Sequence, residues 1–231
     1  MLKKSGSTFY CFSPFIMALT FAAEVLLFMY VLVTRGWRSL ELRLILAVLF
    51  FLAMFQLAEY GVCESLVFDA QTWGKIGFVS ITMLPPLGVH LVQAIRKDTS
   101  HSFTLMSYAL GVLFSVAFVF FNTFDKIACL GNYAIFEFGN DLGIAFAIYY
   151  YALLLLGAGL AFNGWRSIRR KKDKKALMAV VFGYATFVLP ASFIHFVLES
   201  EGNGLPSIMC GFAVIFAFIL ALYIAPLVRD K

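Results

Sequence analysis

AVLFFLAMFQLAEYGVC, residues 47–63, is the stretch that decides the fold, because a strongly polar pair is set into an apolar run. Gln56 and Glu59 are three residues apart, a spacing that places both side chains on one face of a helix. An ionised carboxylate in hydrocarbon costs on the order of a few kcal/mol. Glu59 is therefore expected to face the interior of a helix bundle with a partner, to be protonated, or to lie at a wet interface.

The composition places the whole chain in a bilayer. Of its 231 residues, 62% are hydrophobic and only 13% are charged, which is too little polar surface to cover a soluble globule. A membrane span needs about 20 apolar residues. The chain is predicted to be all-α, a single transmembrane domain over residues 1–231 that forms an integral membrane bundle of seven helices. The predicted spans are 9–34, 42–63, 75–95, 103–124, 142–164, 176–198 and 206–228.

The basic residues predict the orientation of this bundle. Most of the 18 lysines and arginines follow spans one, three, five and seven, whereas the opposite side holds Lys3, Lys4, Lys75 and Lys126. The positive-inside rule then puts the N-terminus outside and the C-terminus in the cytoplasm of a multi-pass cell-membrane protein. The net charge of +5 is explained by these short loops, so no nucleic-acid partner is expected.

Two features of the sequence, a proline pair within a span and a long loop, suggest a cavity and its cap. Pro85 and Pro86 lie in the middle of span three, where they remove helical hydrogen bonds, so a kink that forms a cavity wall is expected there. The longest loop, residues 125–141, is apolar in its centre and is expected to cap one mouth of the bundle.

Two polar sets are candidate sites. Glu59 and His195 are each about one turn from the outer end of a span, so they would meet if their helices face each other. A structural hydrogen bond, a proton relay, a metal site and a ligand site all remain open for this pair. The candidate ligand-binding residues in the outer half are Gln56, Glu59, His195, Ser13 and Tyr60.

The second polar set lies in the cytoplasmic half. His90 and Gln93 share one helical face, and Glu24 is at a similar depth on span one, where it could pair with His90. A membrane histidine more often forms a helix–helix hydrogen bond than a ligand contact.

All four cysteines fall on or near the outer side, where an oxidising compartment permits disulfides. Four cysteines allow three connectivities. Cys63 with Cys129 would tether the long loop to span two, and Cys11 with Cys210 would join the first and last helices. Free thiols that pack as small apolar side chains are equally compatible with the sequence.

Enzyme motifs are missing from the chain, which has no G-x-S-x-G, no H-E-x-x-H and no Walker loop, and no metal site or cofactor is indicated. Between spans five and six lies a basic run that serves as a topology signal and as a candidate contact for anionic lipid or a protein partner. Its basic residues are Arg166, Arg169, Arg170, Lys171, Lys172, Lys174 and Lys175.

Short motifs along most of the chain resemble a family of small, uncharacterised bacterial seven-helix membrane proteins. These motifs are Cys11-Phe12-Ser13-Pro14, Phe55-Gln56-Leu57-Ala58-Glu59, Pro85-Pro86 and Pro206-Ser207-Ile208-Met209-Cys210. The layout is also distantly similar to the seven-helix sensor regions that precede histidine kinases. The resemblance implies no activity, but it singles out Cys11, Gln56, Glu59 and Cys210 as the positions to test first.

These features favour a non-enzymatic, receptor-like or accessory membrane protein that binds a small or lipid ligand, or a partner, through an outer polar pocket. A proton- or cation-coupled transporter or channel that uses Glu59 is the first alternative. A metal-dependent membrane enzyme is the second. The oligomeric state is not indicated by the sequence.

Overall fold

The computed structural model describes residues 14–98, 102–121, 124–130, 133–138, 141–197 and 205–229. Within these ranges the chain forms seven helices and one β-hairpin. The first four helices are α1 Pro14–Thr34, α2 Leu40–Cys63, α3 Ala70–Arg96 and α4 Ser102–Phe120. The hairpin strands β1 Phe124–Leu130 and β2 Tyr133–Phe138 follow, and then come α5 Leu142–Ser167 and α6 Lys171–Val197. The last helix, α7, consists of Leu205–Phe218, a π-helical segment Ile219–Ile224 and Ala225–Arg229.

Six of the described helices are long and apolar enough to cross a membrane. They are α1 to α5 and the Gly211–Val228 part of α7, each with an 18-residue window that is strongly hydrophobic. The predicted helical, multi-spanning architecture is confirmed at this level, and the count of seven spans stays a prediction.

The helix ends follow from local sequence. Gly36, with φ of 77°, ends α1 in a left-handed residue, as its N–H donates back to the carbonyl of Val31 at 3.1 Å. Ser39 caps α2 by accepting from the N–H of Leu42 at 3.2 Å. Before α3, the Thr72 hydroxyl donates to Asp69 at 2.5 Å, which lowers the pKa of that exposed carboxyl group.

Helices α2 and α3 form the centre of the bundle. Helix α3 packs against α2, α4, α5 and α6, while α1 and α7 pack against α2. The two central helices approach closely at Gly61, where a Cβ would lie only 2.5 Å from the ring of Trp73. The glycine therefore leaves the space in which the indole ring packs.

The segment predicted as an irregular loop is an antiparallel hairpin, so the purely α-helical prediction is wrong here. Strands β1 and β2 pair with Ile127 opposite Phe136. Phe124 and Phe136 are buried, and their rings lie 4.9 Å and 5.1 Å from the ring of Phe78 in α3. The hairpin covers this end of the helices, and α4 ends at Phe120 instead of residue 124 because Phe124 belongs to β1.

The bundle thus has two ends with different chemistry. We call the end that carries β1, β2 and the loop between α2 and α3 the hairpin end. The opposite end, where α5 and α6 meet, is the basic end. The basic run is more helical than predicted, because α5 extends to Ser167 and α6 already begins at Lys171. Lysine and arginine are good helix formers, so the helices continue beyond the apolar segments.

The sequence predicts an ordinary helical span here, but α7 is not a regular α-helix. It widens into a π-helical segment at Ile219–Ile224, and the N–H of Ala225 donates to the carbonyl of Leu220, five residues back. Pro226 follows directly. A proline inside a helix lacks an N–H and clashes with the carbonyl four residues before it, and a π-turn accommodates this defect. The sequence signal for the irregularity is therefore Pro226.

Candidate functional site

A small cavity of about 30 Å³, partly open to the outside, lies among α2, α3, α5, α6 and α7. Its lining includes one residue or more from each of these helices, among them Leu52, Gly88, Tyr150, Tyr184 and Ala213. The lining residues are almost wholly aliphatic and aromatic. A cavity of this character accepts an apolar group rather than a hydrated one.

The proline pair in α3 lies beside this cavity, and the kink predicted there stays a prediction. Leu84 and Gly88, on either side of Pro85 and Pro86, both line the cavity. Pro86 removes the hydrogen bond that the carbonyl of Thr82 would accept in a regular helix.

That freed carbonyl has another partner. The hydroxyl of Tyr149 in α5 donates to the carbonyl of Thr82 at 2.7 Å, and both residues are buried. Because a buried carbonyl without a partner would be costly, this bond fixes α5 against α3 at the proline pair. The sequence shows the tyrosines of α5 but not which carbonyl they reach.

A second helix contact shapes the cavity beside the proline pair. Gly88 has no Cβ, and one built there would collide with the hydroxyl of Tyr184 in α6. Tyr184 is buried and its ring packs 5.4 Å from that of Phe216 in α7. Glycine at position 88 therefore allows an aromatic wall to form across from α3.

Buried polar residues form a second feature, which we call the carboxylate cluster: Thr20 and Glu24 of α1 with Gln56 and Glu59 of α2. Glu24, Gln56 and Glu59 are 0%, 2% and 1% exposed. The Thr20 hydroxyl lies 3.1 Å from Oε1 of Gln56 and can donate to it. Glu24 and Glu59 are both buried on the packed helices α1 and α2. Glu59 thus faces the bundle interior, as expected from its position in an apolar helix.

The cluster contains polar atoms whose hydrogen bonds are not made within the described part of the chain. Both carboxylate oxygens of Glu24 are buried without a hydrogen-bond partner there, and so is Nε2 of Gln56. Buried carboxylates without a donor or a positive charge are strongly unfavourable.

The cluster and the cavity are neighbours along α2. Val48 and Leu52 line the cavity, and Glu59 lies eleven and seven residues further on, within about 20° of them around the helix. Helical side chains point toward the N-terminus of their helix, so that of Glu59 points toward Leu52. The cavity lining on α2 ends at Leu52, however, and none of the four cluster residues is part of it.

The predicted pairing of Glu24 with His90 is wrong. Nδ1 of His90 lies 3.2 Å from the hydroxyl of Tyr108 in α4, and the hydroxyl of Thr104 donates to Oε1 of Gln93. His90 and Gln93 do share a helical face, and that face packs against α4. Glu24 is elsewhere because α1 packs against α2 and α7.

Several predicted site residues are outside the part that the structure describes. Cys11 and Ser13 precede the first described residue, and the side chains of His195 in α6 and Cys210 in α7 are likewise not described. The Glu59–His195 contact therefore stays a prediction. Tyr60 is half-buried near the hairpin end of α2.

A disulfide joins Cys63, the last residue of α2, to Cys129 in β1. It is one of the pairings that the sequence left open. The bridge links positions 66 residues apart and attaches the hairpin covalently to the bundle. A pairing of Cys11 with Cys210 falls outside the described residues.

The basic run forms a charged surface with aromatic support. The guanidinium group of Arg166 lies 4.5 Å above the ring of Phe162, and the ammonium group of Lys174 lies 5.3 Å from that of Trp165. Arg170 lies 3.9 Å from Asp173 in the first turn of α6. The remaining basic residues of the run are exposed; they are Arg169, Lys171, Lys172 and Lys175.

Comparison with protein-family models gave no match to the chain, and comparison with curated proteins gave none. In the ranges that the structure describes, no three His, Cys, Asp or Glu side chains are grouped so that they could hold a metal ion.

Proposed function

We propose that the chain is a non-enzymatic, receptor-like or accessory protein of the cell membrane that binds a lipid-like small molecule inside its helix bundle. The observation that carries this proposal is the apolar cavity among five helices, which at about 30 Å³ would have to widen around a chain-like ligand. We place the apolar body of the ligand in this cavity. Gln56 and Glu59 are not among its lining residues, so their part in binding stays a prediction.

Apolar packing toward the basic end favours binding over transport. Five helices each place a fully buried apolar residue toward that end: Val31, Ile45, Ile95, Leu177 and Val228, all 0% exposed. Two buried polar residues, Gln93 in α3 and Asp173 in α6, also lie near that end of their helices. A proton- or cation-coupled transporter, the alternative, would need a second conformation that opens this end.

The test of binding uses a neutral probe, a dodecyl alcohol that carries a photoreactive diazirine in its chain. Because the cavity is apolar, we expect saturable labelling of the purified protein in lipid nanodiscs, with the modified peptides in α3, α6 and α7 around Gly88, Tyr184 and Ala213. Excess unlabelled dodecanol should suppress it. Labelling that is confined to lipid-facing residues such as Leu222 would contradict the proposal.

The orientation is part of the proposal: hairpin end outside, basic end in the cytoplasm. Two independent features support it, since disulfides persist in oxidising compartments and basic loops remain in the cytoplasm. The Cys63–Cys129 bridge and the basic run are at opposite ends of the bundle.

Thiol labelling tests the orientation and the bridge together. In a variant with Cys11→Ser and Cys210→Ser, a membrane-impermeant maleimide is expected to label Cys129 in intact cells only after a reductant is added, because its sulfur is bonded to that of Cys63. Labelling without reductant would contradict the bridge. Labelling that requires both reductant and membrane permeabilisation would reverse the orientation.

The exposed basic residues between α5 and α6 are proposed to contact anionic lipid headgroups of the cytoplasmic leaflet. Each basic residue near such a surface contributes about 1 kcal/mol. The aromatic rings of Phe162 and Trp165 lie under two of these cations, as is typical of the membrane interface. A protein partner at this surface is the alternative that the sequence left open.

A further inference from the structure

The end of α3 meets α5 and α6 at a single glycine of the basic end. A Cβ at Gly164 in α5 would lie 2.8 Å from Cδ of Arg96 and 2.9 Å from a methyl carbon of Leu177 in α6. Arg96 is the last residue of α3. The meeting point is two residues before Arg166 and three residues after Lys174. Gly164 therefore leaves the space in which the stem of Arg96 packs beside the basic run.

The guanidinium group of Arg96 has a donor without an acceptor. Nη2 lies 3.7 Å from a carboxylate oxygen of Asp98, whereas Nη1 is buried and has no hydrogen-bond partner among the residues that the structure describes. A buried donor of a charged group is unfavourable when its hydrogen bond is not made. The side chain is 20% exposed, so an acceptor at the bundle surface can reach the group. Arg96 therefore has capacity for an anionic partner.

The surroundings of Arg96 favour an anion at the membrane interface. The ammonium group of Lys174 lies 5.3 Å from the ring of Trp165, the residue that follows the glycine. Asp98 and, in the first turn of α6, Asp173 are acidic, but the seven basic residues of the run outnumber them. Basic pockets between the cytoplasmic ends of membrane helices are suited to lipid headgroups, and tryptophan is enriched at that depth.

We propose that Arg96 binds the phosphodiester group of an anionic glycerophospholipid at the junction of α3, α5 and α6. This inference rests on the proposed contact between the basic run and the cytoplasmic leaflet, because it assigns one specific site within that contact. The planar guanidinium group can donate two parallel N–H bonds to two phosphate oxygens, which the ammonium group of a lysine cannot do.

Four variants that keep the net charge separate a bound headgroup from general attraction. Arg96→Lys retains an aliphatic stem and a positive charge but removes the planar donor group. Gly164→Ala changes no charge and displaces the stem of Arg96. Arg169→Lys and Gly159→Ala are the matched controls, because Arg169 is exposed and a Cβ at Gly159 would meet nothing within 4 Å.

The measurement is native mass spectrometry of the purified protein, titrated with dioleoylphosphatidylglycerol or with dioleoylphosphatidylcholine, whose choline group offsets the phosphate charge. In the wild type and both controls, we expect phosphatidylglycerol to bind about tenfold or more tightly than phosphatidylcholine, because its hydrogen bonds to Arg96 are charge-assisted. Arg96→Lys and Gly164→Ala should reduce this preference to about threefold or less. Thermal unfolding in a neutral detergent checks that each variant is folded, and Arg96→Lys decides the outcome if Gly164→Ala is not.

The outcomes separate this site from the function on which it rests. A full preference in Arg96→Lys, or an equal loss in Arg169→Lys, would overturn the Arg96 site and leave the contact of the basic run with anionic lipid intact. No preference in the wild type would overturn that contact as well. If inorganic phosphate raised Tm as much as phosphatidylglycerol does, the guanidinium group would belong to a free anion and the lipid would be overturned.

Discussion

Ala213→Phe is expected to weaken labelling by the diazirine alcohol at least about tenfold, because the new ring would occupy the space in which the ligand chain lies. Ala213 is 4% exposed and lies on the face of α7 that lines the cavity. The ring is larger than the cavity of about 30 Å³, so it also overpacks the core, and the fold of this variant is checked before labelling. The measurement is the half-saturating probe concentration in nanodiscs.

The control for this prediction is Ile215→Phe, a substitution on the same helix at a residue that is 44% exposed toward the surroundings. It introduces the same ring without touching the cavity and should leave labelling unchanged. Ala213→Leu is a milder variant that guards against misfolding, and its affinity is expected to fall between those of the wild type and Ala213→Phe. Wild-type affinity in a folded Ala213→Phe would show that the ligand is not in the cavity.

Glu24→Gln is expected to raise the thermal stability of the ligand-free protein, although it removes a candidate binding residue. Both oxygens of this buried carboxyl group lack a hydrogen-bond partner in the described residues. Replacement of a carboxyl group that must be buried either charged or protonated should stabilise the fold by about 1–3 kcal/mol. For a chain of this size each kcal/mol corresponds to roughly 2–4 °C in Tm.

The measurement is the unfolding temperature of delipidated protein in one detergent. Glu64→Gln serves as the control, because Glu64 is exposed just beyond α2. It should change Tm by about 1 °C or less, since surface substitutions are usually within about 0.5 kcal/mol. A clear loss of stability in Glu24→Gln would mean that the carboxyl group has a stabilising partner.

The positions of Glu59 and Glu24 differ in how far the sequence determines them. The buried position of Glu59 follows from the sequence, because a carboxylate within an apolar helix has few alternatives to the bundle interior. Which residue lies next to Glu59 does not follow from the sequence. Glu24 was assigned to His90 from depth along the helices, but depth leaves open which helices are adjacent, and α1 packs on α2 and α7.

The hairpin shows the same limit at the level of secondary structure. The apolar centre of residues 125–141 correctly indicated a segment that covers the bundle. Its strands were not recognised, because their pairing is stabilised by contacts with Phe78 in α3, about 50 residues away in the chain. The bridge from Cys129 to Cys63 depends on that same docking.

The sequence by itself determined the apolar helices, the carbonyl that Pro86 leaves without its helical hydrogen bond, and the interior position of Gln56 and Glu59. Each of these follows from local physical chemistry: the hydrophobicity of a run, the missing N–H of proline and the cost of burying charge. Only the tertiary structure decided that Tyr149 satisfies the carbonyl freed by Pro86, that five helices leave a cavity between them, and that Glu24 is buried on a helix packed against α2. These depend on the order and rotation of helices around one another, which side-chain packing across the whole bundle determines and no single segment encodes.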